Sequence, residues 1–340
     1  MRPSHVYQFL KIAIEKNYPT LLKSAPGCAK TSLVEQACKD LGVDLIVAHP
    51  VVSESVDFKG MPWVYQDAKL GRPVAVFVPF NQLEQLINAT KKTVFFLDDL
   101  GQAVTTVQAA CMQLILARSL NEHQISDEVV FFAATNRKQD KAGVSGILEP
   151  VKSRFHTILE VDVNIDDWID WAYKHNMPAG LVQYIRWRKG PSLFGPMPTL
   201  DITNSPCPRT VTKVGEMLNG GIPEALRSEV FKGACGEAWG NEFAGFLRIM
   251  ESLPDIDEIL KNPDKASVPA KDKADVIYAI CGALIERATK ENFKNIVAYS
   301  ERLPVEYSLM IVKDCILKNK SLASTPTWQK WIRGHAEVLA

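Results

Sequence analysis

The stretch Ser24-Ala25-Pro26-Gly27-Cys28-Ala29-Lys30-Thr31 constrains this chain more than any other. It joins a β-rich run, Thr20–Ser24, to a helical pattern, Lys30–Leu41, where Leu33, Val34, Ala37, Cys38 and Leu41 recur on one face. Gly42 stands where a helix C-cap belongs. A loop of small residues between a strand and a helix is the setting of a phosphate-binding loop. Its backbone N–H groups wrap a phosphate, and the positive end of the helix adds its field. There Lys30 reaches the β- and γ-oxygens, and the Thr31 hydroxyl ligates Mg²⁺. The strict pattern has Gly at positions 24 and 29, where this chain has Ser and Ala. Small residues still permit a close backbone approach, although Ala tolerates positive φ less readily than Gly. A chance Pro-Gly turn before a helix is the plainer alternative.

The surrounding pattern supplies the sheet such a loop needs. β-rich runs at 20–24, 44–48, 93–97, 129–134 and 157–161 alternate with helical stretches, which predicts a mostly parallel α/β sheet. The runs at 93–97 and 129–134 are almost continuously apolar, as expected of central strands covered on both faces. A second amphipathic stretch, 107–120, sets Ala110, Cys111, Leu114 and Ile115 on one face. Residues 63–78 fit the alternation poorly and read as two strands around a turn containing Gly71, either an inserted hairpin or a pair of edge strands. Beyond residue 161 the pattern turns helical. The loop at 189–208 carries prolines at 191, 196, 198, 206 and 208, which predicts an extended, irregular segment. The polar, proline-bearing stretch 261–273 reads as a linker. These features divide the chain into an α/β core at 1–161, a helical part at 162–260 and a C-terminal helical region at 261–340.

A second piece of chemistry follows the run Thr93–Leu97. The carboxylates Asp98 and Asp99 come directly after it, at the C-terminal edge of a buried strand, where the first loop of the sheet also lies. Asp98 is placed to hold the Mg²⁺ hydration shell, and Asp99 to orient and deprotonate an attacking water. An ordinary acidic turn is the alternative for either residue alone.

With these motifs in view, the chain resembles the AAA+ ATPases and, within them, the MoxR-like branch, from Pro19 to about Leu218. Ser24 to Ser32 and Thr93 to Asp99 are similar to the Walker A and Walker B motifs. Phe131-Phe132-Ala133-Ala134-Thr135-Asn136 resembles the strand that ends in the sensor-1 residue, so Asn136 is expected to position the hydrolytic water. Residues 97–114 look like the segment that follows Walker B. Glu149-Pro150-Val151-Lys152-Ser153-Arg154-Phe155 is similar to the segment ending in the arginine finger; Arg154 is the candidate, and Lys152 competes with it. Ser205-Pro206-Cys207-Pro208-Arg209-Thr210 resembles the lid motif with sensor 2, which puts Arg209 on the γ-phosphate in cis. Residues 57–62 also match a segment of the branch.

The resemblance implies a P-loop core with a parallel five-stranded sheet, a helical lid at 162–260 and a helical C-terminal extension. It implies ATP and Mg²⁺ as cofactors and a hexameric ring in which each finger serves the neighbouring subunit. It also implies a partner bearing a von Willebrand factor A domain. Ala before the Walker A lysine occurs in MoxR relatives. Two departures stand out: Asp99 replaces the usual Glu and is one methylene shorter, and Gln102 stands where many relatives carry Arg.

Charge bears on the choice of function. Lys+Arg and Asp+Glu both number 39, so there is no general electrostatic pull on nucleic acid. The small basic cluster of Arg186, Arg188 and Lys189 reads as a solvated helix end, with a nucleic-acid or partner contact as the rival reading. No apolar run approaches the ~18 residues of a membrane span, and the N-terminal stretch lacks the apolar core of a signal peptide. The seven cysteines show no CxxC pair, and the six histidines no i,i+4 pairing with carboxylates, which favours reduced thiols, a cytoplasmic setting and no metal cage. Asp166, Asp167 and Asp170, with Trp168 and Trp171, read as a solvated acidic face over core tryptophans. The expectation is an ATP-hydrolysing remodelling enzyme. A nucleotide-gated scaffold with little hydrolysis and a nucleic-acid motor of the same superfamily are the alternatives.

Overall fold

The computed structural model describes residues 1–120, 123–140, 146–195, 202–253 and 256–335. The chain forms two compact units, Met1–Val163 and Asn164–Ala340. The strands are β1 (Thr20–Ser24), β2 (Asp44–Ala48), β3 (Met61–Asp67), β4 (Arg72–Val78), β5 (Thr93–Leu97), β6 (Ser119–Leu120), β7 (His123–Gln124), β8 (Val129–Asn136) and β9 (Thr157–Glu160). The helices of the first unit are α1 (Pro3–Lys16), α2 (Lys30–Leu41), α3 (Asn81–Ile87), α4 (Thr105–Ala117) and α5 (Glu149–Lys152).

Five strands make one sheet in the order β2-β5-β8-β1-β9, and every neighbouring pair is parallel. The alternating pattern predicts its parallel character, and the resemblance to the AAA+ P-loop core implies its five strands. The period-two alternation of β5 explains how the sheet is covered. Val94 and Phe96 pack with Leu10 and Ile14 of α1 and Val34 and Ala37 of α2. Phe95 and Leu97 face the opposite layer, with Leu86 of α3 and Cys111 and Leu114 of α4. β8 is buried along its whole length and runs two residues beyond the apolar stretch, through Thr135 to Asn136. Asn136 thereby falls in register with Ser24, the last residue of β1.

β3 and β4 pair only with each other, so residues 61–78 are a separate two-stranded hairpin and not an added edge of the main sheet. Trp63 and Val64 on it are 62% and 64% exposed.

The second unit is helical: α6 (Ile165–Lys174), α7 (Ala179–Arg188), α8 (Gly190–Leu193), α9 (Pro208–Asn219), α10 (Glu224–Cys235), α11 (Glu237–Ser252), α12 (Ile256–Lys261), α13 (Ala274–Glu286), α14 (Phe293–Ser300), α15 (Val305–Lys318) and α16 (Pro326–Gly334). Tyr184 sits in an aromatic cluster with Trp239, Phe243 and Phe246. Asp314 is buried on α15, where it accepts hydrogen bonds from Tyr173 (2.9 Å), Gln183 (2.8 Å) and Arg186 (3.0 Å). Arg186 is therefore committed to an ion pair, and Arg188 pairs with Glu242 at 2.8 Å. Only Arg186 departs from the expected solvated helix end; Arg188 and Lys189 are exposed there. Trp168 is buried, whereas Trp171 lies at the surface and stacks on His175.

The proline-rich loop opens with the helical turn α8, because Pro191 sits at a first-turn position where its missing N–H costs nothing. Residues 196–201 of that loop, including Pro196 and Pro198, lie outside the described residues. The stretch 261–273 is tied down by neighbours: Tyr299 donates to the Ser267 carbonyl at 2.9 Å and Arg302 to the Pro263 carbonyl. No helix among the described residues is long and apolar enough to cross a membrane.

Candidate nucleotide site

The site forms where β1, β5 and β8 end. After Ser24 the chain turns through Ala25 and Pro26 to Gly27 at φ 75° and Ala29 at φ 62°. Two left-handed residues within three positions curl the backbone tightly and deliver it into α2. The N-cap residue of α2, Ala29, has no side chain that can cap the N–H groups of the first turn. An uncapped helix start over a tight loop favours an anion. Cys28 is buried, and its thiol contacts the Pro26 carbonyl at 3.7 Å. Ala29 and Ser32 are exposed and Thr31 is half-buried.

Lys30 is only 7% exposed. Its Nζ donates to Ser24 Oγ at 3.0 Å, to Asn136 Oδ1 at 2.7 Å and to the Ala25 carbonyl at 3.4 Å. From there the bonding continues around the site. Asn136 Nδ2 donates to Asp99 Oδ1 at 3.2 Å, and the Asp99 N–H donates to Asp98 Oδ1 at 3.1 Å. The Thr31 hydroxyl donates to Asp98 Oδ2 at 2.8 Å. Lys30 and Thr31 are consecutive, so these bonds close a ring that joins the first turn of α2 to the ends of β5 and β8. The Asp98 N–H donates to the Ala48 carbonyl at 2.9 Å, which adds β2 to the assembly. A buried ammonium is costly unless polar groups surround it, and these are the groups that do so.

The ring suits Mg²⁺ and a polyphosphate. The Thr31 hydroxyl and the Asp98 carboxylate are hard oxygen donors side by side, the kind Mg²⁺ takes alongside waters and phosphate oxygens. Among the described residues no three His, Cys, Asp or Glu side chains cluster as a metal cage. A metal here would therefore rest on few protein oxygens, as a nucleotide-borne ion does.

Arg154 and Lys152 of the same unit are not members of this hydrogen-bonded ring. Arg154 lies in the turn between α5 and β9; its Nε is buried without a hydrogen-bond partner among the described residues. Lys152 is paired with Glu149 at 2.5 Å. Arg209 is exposed in the first turn of α9, in the second unit.

Two features were not singled out by sequence reasoning. Gln108 of α4 is fully buried, donating to the carbonyls of Ala103 (3.0 Å) and Gly146 (2.9 Å) and accepting from the Leu148 N–H (3.0 Å). It ties the segment after Asp99 to the one before Arg154. A polar residue on the apolar face of 107–120 was the available signal. The other is the backbone of Asp99, at φ 58° in the left-handed region. Asp visits that region more readily than bulkier residues do.

Residues 20–163 match the model of the family described as "ATPase family associated with various cellular activities (AAA)". No curated protein matches the chain. Among solved structures it is similar to the Thermotoga maritima RuvB Holliday junction branch migration motor, with 16% identity, TM-score 0.41, and coverage of 96% of this chain and 89% of that one. A mutant of the same RuvB gives 16% identity, TM-score 0.41, and coverage of 78% and 77%.

Proposed function

Taking residues 20–163 as an AAA-family ATPase domain, we propose that the chain binds and hydrolyses ATP as a ring-forming, MoxR-like remodelling ATPase acting on a partner protein. The observation that carries this reading is the closed ring of hydrogen bonds through Lys30, Asn136, Asp99, Asp98 and Thr31. Each member has one task. Lys30 and the N–H groups of the 24–32 loop hold the phosphates, and Thr31 and Asp98 hold Mg²⁺. Asp99 orients a water and accepts its proton, while Asn136 keeps both Asp99 and the water in line. Bound MgATP supplies the phosphoryl electrophile and a metal charge that offsets the negative charge on the phosphate oxygens.

The further assignments rest on the family resemblance. Arg154 serves the neighbouring subunit in a head-to-tail hexamer, and Arg209 acts in cis from the lid at 162–260. Motion of that lid, with the region 261–340 behind it, is passed to the client, and a protein with a von Willebrand factor A domain is the partner the resemblance implies. The cell compartment assigned is the cytoplasm.

A second reading has its own observation. Asp99 is one methylene shorter than the Glu of relatives and is already held by Asn136 at 3.2 Å. A misplacement of about 1 Å can cost roughly 10²-fold in rate, so a slow, nucleotide-gated scaffold is the alternative. Phosphate release at saturating MgATP decides between them, measured on the wild type, Lys30→Ala and Asp99→Glu. The ATPase reading expects the wild type to exceed Lys30→Ala by at least about 10²-fold. A wild-type rate equal to that of Lys30→Ala, with a large gain in Asp99→Glu, selects the scaffold.

A further inference from the structure

Gly101 lies two residues after Asp99, in the short turn Leu100–Gln102 that carries the carboxylates off β5 and down onto β8. It is fully packed against that strand. A β-carbon built on Gly101 would lie 2.1 Å from Thr135 Oγ1, 3.1 Å from Thr135 Cβ and 3.3 Å from Ile147 Cγ1. Turning the Thr135 side chain cannot clear this space. Its Cβ is fixed to a buried strand and stays 3.1 Å from the added β-carbon in every rotamer, and turning about χ1 brings the methyl group where the hydroxyl was in one of the two other rotamers. It would also break the 3.1 Å bond from the Thr135 hydroxyl to the Asn136 carbonyl. Any side chain at 101 must therefore lift the turn away from β8.

The residues on either side of this contact are the two that must meet. Thr135 directly precedes Asn136, and Gly101 follows Asp99 by two positions. Lifting the turn lengthens the 3.2 Å bond between Asn136 Nδ2 and Asp99 Oδ1. Lys30 bonds the oxygen of the Asn136 amide, not the nitrogen that meets Asp99, and Asp98 is held separately by Thr31 at 2.8 Å and by the Ala48 carbonyl at 2.9 Å, so the phosphate and metal contacts are spared.

We propose that Gly101 is a positioning residue for hydrolysis: the space left by its missing side chain seats the turn that follows Asp99 on Thr135 and so fixes Asp99 against Asn136. This rests on the ATPase reading given above. It predicts a split between binding and turnover. Gly101→Ala should lower kcat at least tenfold while changing the affinity for MgATP less than threefold. The double variant Gly101→Ala/Thr135→Ala, in which the colliding hydroxyl and methyl are gone, should recover most of the lost rate.

The test is phosphate release and calorimetric MgATP binding on wild type, Lys30→Ala, Gly101→Ala and the double variant. A kcat in Gly101→Ala within twofold of wild type overturns the proposal. So does a Gly101→Ala protein that loses MgATP binding together with turnover, or a double variant that recovers nothing, since either makes the contact one of general folding. A wild type no faster than Lys30→Ala points instead to failure of the ATPase reading, and takes this proposal with it.

Discussion

Ala29 holds a left-handed backbone, φ 62° and ψ 21°, at the turn into α2. A non-glycine residue there costs about 1–2 kcal/mol, and Gly would relieve it at the expense of more unfolded-state entropy, about 0.4–1 kcal/mol. Ala29→Gly should therefore raise stability by about 0.5–1 kcal/mol, read as a higher urea midpoint; an unchanged or lower midpoint contradicts the strained loop. At this scale the sequence was informative where residue type alone fixes chemistry. Lys30, Thr31, Asp98 and Asp99 were named from the residues themselves and Asn136 from the resemblance, and the structure joins the five by hydrogen bonds. Their order around the ring was not readable, because it depends on β8 running two polar residues past its apolar stretch. Nor was the seat beneath Gly101, which is set by a contact across 34 positions of chain.

Strands were the most legible elements. β1, β2 and β5 begin and end where the β-rich runs do, and β5 is buried at every residue, as its nearly continuous apolar run predicts. α1 was not among the predicted helices, although Val6, Leu10, Ala13 and Ile14 mark a helical face. The buried cluster around Asp314 was invisible for a different reason. Arg186 and Asp314 are 128 positions apart, and each alone reads as a surface charge. Burial raises the Asp314 carboxyl above its ordinary value, and the Arg186 charge works against that rise. Arg186→Ala leaves a buried carboxylate without its cation, so at neutral pH it should cost about 3–5 kcal/mol. Because the folded-state value is the raised one, the contribution of this proton is fully present below the unfolded value and is lost as pH climbs through the folded one. The cost of Arg186→Ala should therefore shrink in acid, where a neutral Asp314 needs no partner. Urea unfolding of both proteins at neutral and acid pH checks this, and a penalty constant with pH contradicts it.

At the scale of the whole molecule, the proposed assembly makes its own demand. If Arg154 acts on a neighbour, one subunit can lack the finger and another the phosphate lysine, and a mixed ring still contains complete sites. Arg154→Ala and Lys30→Ala should each be nearly inactive, the former down by about 10³–10⁵-fold. Mixed in equal amounts they should regain turnover, whereas a finger acting in cis gives a mixture no better than its parts. The parallel sheet was legible at this scale because strand and helix patterns alternate. The separate pairing of β3 with β4 was not, since an exposed hairpin and a pair of edge strands share one period.

The central claim is that the ends of β1, β5 and β8 hold a nucleoside triphosphate with its metal, and titration calorimetry tests it most directly. Wild-type protein titrated with a non-hydrolysable ATP analogue in Mg²⁺ should bind it with one site per chain, and Lys30→Ala should abolish the heat. A flat wild-type titration at millimolar ligand, or equal binding by Lys30→Ala, would contradict the account.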